Sequence, residues 1–208
     1  METILIFAGG DSPTGSLGEE LPAADLVVAA DSGYDSAIAA GFPVDVLVGD
    51  FDSIEASSIP ESVRVARHSV DKDASDLELA LEMVMDHRPG RVVVVGGAGG
   101  RFDHELITTT LLCSTRWQEI EEIDWVTDRG WSHVVRGRRI IHGDVGDLIS
   151  LIPMGGSVHG LTTRGLRWDL DAETLHHGTS RGLSNRFAGP VADITVAEGC
   201  LLVVLPAL

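Results

Sequence analysis

Apolar residues in the first half of the chain fall in short unbroken runs, each closed by glycine or aspartate. Residues 3–8 end in Gly9-Gly10. Residues 25–30 end in Asp31-Ser32-Gly33, and residues 44–48 end in Gly49-Asp50. Residues 63–66 form a weaker run. Residues 91–95 form the clearest one and end in Gly96-Gly97. Short β-branched runs that stop at Gly or Asp predict buried parallel strands. Between them the period changes. Over residues 76–87, Leu77, Ala80, Leu81, Val84 and Met85 recur at helical spacing. Ser75-x-x-Glu78 is a capping box with Ser75 at the N-cap, and Pro89-Gly90 stops the helix. A second helix is predicted over residues 104–117. Alternating strands and helices imply a three-layer α/β domain with a mainly parallel sheet.

The second half is patterned differently. Residues 125–127, 133–135, 139–141, 148–152, 158–161, 192–196 and 201–205 are short strand-like runs at roughly hairpin spacing, separated by Gly, Asp and Asn. No strong helical period follows residue 122. This predicts an all-β sandwich or barrel. The expected domains are residues 1–125 (α/β) and 126–208 (all-β, a sandwich).

Composition narrows the function. The 208 residues carry 15 basic and 32 acidic side chains, a formal charge of −17. Such a chain has no general basic footprint for nucleic acid and no polybasic segment for anionic lipid. With 44% hydrophobic residues it can bury a core. The longest apolar runs fall far short of the roughly 18 residues of a membrane span. Met1-Glu2-Thr3 lacks the basic start of a signal peptide, so a cytoplasmic location is expected. Lys72 is the one lysine. A surface so rich in carboxylates suits a salt-adapted source. Cys113 and Cys200 lie far apart in sequence in apolar surroundings and read as buried small hydrophobes. The eight histidines show no metal-ligand spacing.

Ligands of parallel α/β sheets sit beyond the carboxyl ends of the strands. There this sequence places Asp31, then Asp50 and Asp52, then Asp71, Asp73 and Asp76. So many carboxylates at one edge repel one another, and a hard divalent cation such as Mg²⁺ relieves the repulsion. The alternative is that aspartates simply favour turns and helix starts. Gly96-Gly97-Ala98-Gly99-Gly100 opens a helix, so it suits either a phosphate cradle or a tight turn. Arg101 adds a cation suited to phosphate, and Asp103 lies in the helix's first turn. Together these features point to metal-assisted phosphoryl chemistry on a nucleotide, without naming the acceptor.

The same motifs resemble the thiamine pyrophosphokinase family. They are Asp31-Ser32-Gly33, Gly49-Asp50-Phe51-Asp52-Ser53, Lys72-Asp73-x-Ser75-Asp76 and Gly96-Gly97-x-Gly99-Gly100-Arg101-x-Asp103-His104, in that order. Gly160-Leu161-Thr162-Thr163-x-Gly165-Leu166 and Gly178 to Asn185 extend the resemblance into the second half. It implies a homodimer that moves the pyrophosphoryl group of ATP to the hydroxyethyl oxygen of thiamine, releasing AMP. By resemblance, Asp50, Asp52 and Asp76 would hold Mg²⁺. Asp31 and Asp73 would complete the acidic shell or contact the nucleotide, with Asp73 a candidate general base. Gly33, Ser75, Gly97, Gly99, Gly100 and Arg101 would meet the nucleotide. Asp103 would meet the aminopyrimidine of thiamine, with Ser184 and Asn185 supplied by the other subunit. Trp168 is read as a core tryptophan, with stacking on cationic thiamine as the alternative.

One departure is Asp31-Ser32-Gly33-Tyr34-Asp35, where some family members carry Asp-Gly-Gly-Ala-Asn. Three other readings stay open. One is a related pyrophosphokinase for another small alcohol. Another is a phosphatase using Asp50-Phe51-Asp52, whose first carboxylate would be the nucleophile. The last is a thiamine or nucleotide sensor without catalysis.

Overall fold

The computed structural model describes residues 1–11, 13, 21–49, 59–68 and 73–207. They pack as two units. The first is Met1–Leu111 with Glu119–Asp128, and the second is Leu112–Gln118 with Arg129–Leu208. The division therefore falls three residues later than the expected 125/126. It also assigns residues 112–118 to the second unit. One cause is Arg136, whose Nη2 donates to the carbonyl oxygens of Leu112 (3.1 Å) and Ser114 (3.0 Å).

In the first unit six strands run β4-β3-β2-β1-β5-β6, and each neighbouring pair is parallel. They are β1 (Thr3–Phe7), β2 (Leu26–Ala30), β3 (Val46–Gly49), β4 (Arg64–Arg67), β5 (Arg91–Val95) and β6 (Glu122–Thr127). Ile4, Leu5, Ile6, Val28, Ala29, Leu47 and Val92 to Val94 are wholly buried, so side chains on both faces of the central strands are covered. That is why these strands read as continuous apolar runs rather than alternating ones.

Helix α1 (Gly33–Ala39) has no counterpart in the sequence pattern; it is seven residues long. Helix α2 (Asp76–Met85) packs on β1, β2 and β3 and buries Leu77, Ala80, Leu81 and Val84. Ser75 caps it, its Oγ accepting from the Glu78 amide at 3.2 Å, as the capping box predicts. Helix α3 (Phe102–Leu112) is shorter than expected. The remainder of the predicted helix is a separate 3₁₀ turn, Thr115–Trp117, started by Ser114, whose Oγ accepts from the Arg116 amide. A serine that bonds its own following backbone ends one helix and begins another.

The second unit is antiparallel throughout, in the order β7-β13-β9-β12-β8, with β10 and β11 also on β9. The strands are β7 (Gly130–Val135), β8 (Arg138–His142), β9 (Leu148–Arg164), β10 (Glu173–Leu175), β11 (Asn185–Arg186), β12 (Val191–Thr195) and β13 (Glu198–Pro206). Runs 148–152 and 158–161, read as two strands, belong to the single 17-residue β9. Gly155 (φ 70°) and Gly160 (φ 60°) bend it without ending it. Its earlier part pairs with β13 and its last residues with β12. Val158, Leu161, Ile149, Phe187, Ile194 and Leu201 share the core it encloses.

The expected mainly parallel sheet is thus corrected to a mixed one. Parallel pairing is confined to strands joined by crossovers. The closely spaced strands of the second half pair antiparallel, as hairpin connections require. No helix among the described residues is long and apolar enough to cross a membrane.

One buried ion pair sits in the first unit. Asp124 of β6 is fully buried, and Arg91 of β5 donates to its Oδ2 through Nε (2.9 Å) and Nη2 (2.7 Å). Removing one partner strands a buried charge. Arg91→Ala, which leaves the buried Asp124 carboxylate without its guanidinium, is expected to lower unfolding free energy by about 3–5 kcal/mol in urea titrations. A loss below about 1 kcal/mol would show that the pair contributes no more than a surface one.

Candidate active site

Parallel register brings the carboxyl ends of β1, β2, β3 and β5 to one edge. Phe7 lies beside Ala29 and Val95, and Ala30 beside Val48. The residues directly after each strand are therefore gathered there. Asp31 comes immediately after β2 and is held by its own amide, which donates to the Val48 carbonyl (2.8 Å). Its φ is 46°, a region a non-glycine residue enters only at a cost. Gly33 begins α1, and a Cβ there would lie 2.1 Å from the Phe7 carbonyl oxygen. Its glycine is explained by the close approach of α1 to β1, without any ligand.

Asp76 is the first residue of α2, and Asp73 is exposed three residues earlier. Both stand where the helix N-terminus favours negative charge. Ser75 accepts the cap bond already described and keeps its hydroxyl proton to donate. Asp50 and Asp52, together with Asp71 and Lys72, lie outside the described residues. Among the described residues no group of three His, Cys, Asp or Glu side chains is placed to hold a metal ion.

The glycine run after β5 is a tight turn. The Gly97 amide donates to the Gly9 carbonyl (2.8 Å), and the Gly99 amide donates to Glu105 Oε1 (2.9 Å). Two amides expected to face phosphate are thus occupied within the chain. Glu105, in the first turn of α3, is a residue the sequence reading missed. Asp11 is another: a Cβ on Gly99 would fall 2.0 Å from its carboxylate. Gly100 is exposed.

Arg101 and Asp103 pair with each other. Arg101 donates through Nε to Oδ1 (3.1 Å) and through Nη2 to Oδ2 (2.5 Å). The hydrogen bond from Arg101 holds the Asp103 carboxyl down at about 2, and Asp103 raises the Arg101 guanidinium in turn. The side chains remain 71% and 63% exposed. An exposed pair contributes little to stability, so either member can exchange its partner for a ligand at small cost.

In the second unit Asn185 is buried and fully engaged. Its Oδ1 accepts from the Trp168 amide (3.2 Å) and the Arg186 amide (2.8 Å), and its Nδ2 donates to the Trp168 carbonyl (2.9 Å). Asn185 therefore clamps the backbone of Trp168 on both sides. The Trp168 ring is 55% exposed, with the Arg167 guanidinium 4.8 Å from its centroid. The core reading of Trp168 is overturned. The clamp holds the residue at the surface, a fact no burial propensity could reveal. Ser184 is exposed at φ 60°, its amide donating to Ser150 Oγ (3.1 Å).

Comparison with known proteins agrees along the chain. A family model described as thiamin pyrophosphokinase, catalytic domain, matches residues 17–124. One described as thiamin pyrophosphokinase, vitamin B1 binding domain, matches residues 133–201. The chain is 31% identical over 159 residues to thiamine pyrophosphokinase 1 of Oryza sativa subsp. japonica, a match covering 68% of this chain but 58% of that protein. It is 29% identical over 216 residues to the thiamine pyrophosphokinase of Bacillus subtilis (strain 168), covering 98% of each. A crystal structure of thiamine pyrophosphokinase from Bacillus subtilis superposes with a TM-score of 0.85 at 25% identity, over all of both chains.

The Arg101–Asp103 pair makes a pH-dependent prediction. In Arg101→Gln the Asp103 carboxyl should titrate near the ordinary carboxylate value of about 4, up from about 2 in the native chain. Carbon-13 carboxyl NMR against pH checks this. An unchanged midpoint would mean that Arg101 does not hold the charge.

Proposed function

The chain belongs to the thiamin pyrophosphokinase family, and on that premise we propose that it makes thiamine diphosphate and AMP from thiamine and ATP. The observation that carries this reading is the succession of the two family regions, catalytic and vitamin B1 binding, over residues 17–124 and 133–201. The edge of the parallel strands supports it, with Asp31, Asp76 and Arg101 following strands β2, β4 and β5.

In this reading the thiamine hydroxyl attacks the β-phosphorus and AMP leaves. Such transfer depends mostly on positioning and charge neutralisation. Arg101 releases Asp103 and meets the triphosphate as a bidentate donor. Asp103, freed in the same exchange, meets the aminopyrimidine. Asp73, exposed beside the start of α2, takes the proton from the hydroxyl. Asp31 closes the acidic shell. Ser75 and Gly100 line the nucleotide. Gly33, Gly97 and Gly99 shape the turns around it rather than donate to it.

The donor set is all carboxylate oxygen, which fits Mg²⁺. That ion takes one or two protein carboxylates and completes its shell with phosphate and water. Asp50, Asp52 and Asp76 would hold it. When bound it neutralises charge on the transferred group.

The finer architecture belongs to the same reading. The second unit is a sandwich bent around β9, and it holds thiamine. Trp168, presented by Asn185, offers a ring face to the cationic substrate in place of Arg167. Ser184 acts on the site of a second copy of the chain in a homodimer, and Asn185 acts there through the Trp168 backbone that it holds. Exposed Phe102 and Leu106, one turn apart on α3, with Ile107 next to Leu106, support the dimer as an apolar patch. A cytoplasmic enzyme without nucleic-acid or membrane partners suits the acidic surface.

Product analysis tests the reading. With ATP, Mg²⁺ and thiamine, chromatography should find AMP and thiamine diphosphate in equal amounts, and AMP should not form without thiamine. Formation of ADP, or AMP release independent of thiamine, would overturn it. Phosphate release from monoesters would point to the phosphatase instead.

A further inference from the structure

The structure brings together the two cysteines that the sequence keeps apart. Cys200 lies on β13, where Leu201 faces Val135 of β7. One step further along that ladder sets Cys200 beside Arg136. The Arg136 guanidinium in turn bonds the carbonyls of Leu112 and Ser114, which flank Cys113. Arg136 thus joins the backbone on either side of Cys113 to the strand position beside Cys200. Neither cysteine is in a disulfide, and both are only partly buried. The two thiols act on each other: Cys200 pushes the Cys113 thiol up, and Cys113 pulls the Cys200 thiol down. Arg136 Nε is buried with no hydrogen-bond partner, a donor available to an anion formed there.

We propose that Cys113 and Cys200 form an oxidisable dithiol, in which Cys200 attacks a hydroperoxide and Cys113 resolves the product to a disulfide. The Cys200 thiolate attacks one peroxide oxygen and the O–O bond breaks. The leaving hydroxide takes a proton and departs as water. Cys200 is then a sulfenic acid. The Cys113 sulfur attacks that sulfur, the S–S bond forms, and the S–O bond breaks. The hydroxyl leaves as water with the Cys113 proton. Two thiols and one hydrogen peroxide give one disulfide and two waters, a two-electron oxidation.

The roles follow from the environment. The hydrogen bond from Cys113, with the charge and hydrogen bonding of Arg136, pulls the Cys200 thiol down to about 7 against the opposing effect of burial. The same hydrogen bond and burial push the Cys113 thiol up, so it keeps its proton until a sulfenic acid stands beside it. The disulfide would tie the residue directly after α3 to β13. It would close a long loop of the chain, so it should raise the melting temperature.

The test treats the whole folded protein with hydrogen peroxide and maps thiols by alkylation and mass spectrometry. The expected product is an intramolecular Cys113–Cys200 peptide link, reversed by dithiothreitol, with a mass loss of about 2 Da. Its melting temperature should rise by several degrees. In Cys113→Ser, dimedone should trap a sulfenic acid on Cys200. In Cys200→Ser, Cys113 should stay a thiol. Arg136→Gln should slow alkylation of Cys200 about tenfold. The proposal is overturned if both thiols survive peroxide in the folded protein while oxidising in urea. It is also overturned if the disulfide forms only between chains, or if dimedone labels Cys113 first.

Discussion

Parallel register is the constraint on which the rest of the first unit depends. Because Phe7, Ala30, Gly49 and Val95 end their strands at one level, the residues after them are delivered to one edge. Everything chemically unusual in that unit derives from this placement. Asp31 accepts backbone strain to stand directly after β2. Asp76 opens α2 after β4, and Arg101 leads into α3 after β5. The apolar strands are buried on both faces, and the glycine or aspartate that closes each run sets where it stops. The buried Arg91–Asp124 pair joins β5 to β6 in the same sheet.

The gathered edge is not a set of free groups waiting for a ligand. Arg101 is already neutralised by Asp103, and the Gly99 amide is taken by Glu105; in the second unit, by itself, Arg167 covers the face of Trp168. Each contact is an internal stand-in of the kind of charge the proposed substrates carry: a carboxylate for phosphate, a guanidinium for the thiamine ring. Exposed pairs of this kind are weak and can be exchanged. Arg138 with Asp193, Arg164 with Asp171 and Arg181 with Glu173 show the same pairing on the surface of a chain with few cations.

Local signals were legible in the sequence. The Ser75 cap was readable because a capping box is complete within four residues. The strands of the first unit were readable because burial on both faces removes alternation. The shift from parallel to antiparallel pairing was foreshadowed by the change of period near residue 122. What the sequence hid was set by partners far along the chain. Runs 148–152 and 158–161 look like two strands, yet β9 pairs with β13 up to Met154 and again at His159, across an irregularity that takes in Gly155 and Gly156. Trp168 looks like core, yet Asn185, 17 residues on, fixes it at the surface. The amides of Gly97 and Gly99 look open, yet Gly9 and Glu105 occupy them. Cys113 and Cys200 look unrelated until the β7–β13 register and Arg136 unite them. Asp50 and Asp52, the sharpest motif in the sequence, lie outside the described residues, so their part rests on sequence and family.

The central claim is that the carboxyl edge of the parallel strands holds the metal–nucleotide. Water-proton relaxation of Mn²⁺ with ATP reports this directly, with Mn²⁺ standing in for Mg²⁺. The native protein should enhance relaxation when ATP is present. Asp76→Asn should lose at least about tenfold in Mn²⁺–ATP affinity, equivalent to roughly 1.4 kcal/mol, while keeping its melting temperature. Undiminished binding of Mn²⁺–ATP by a folded Asp76→Asn protein would contradict the account.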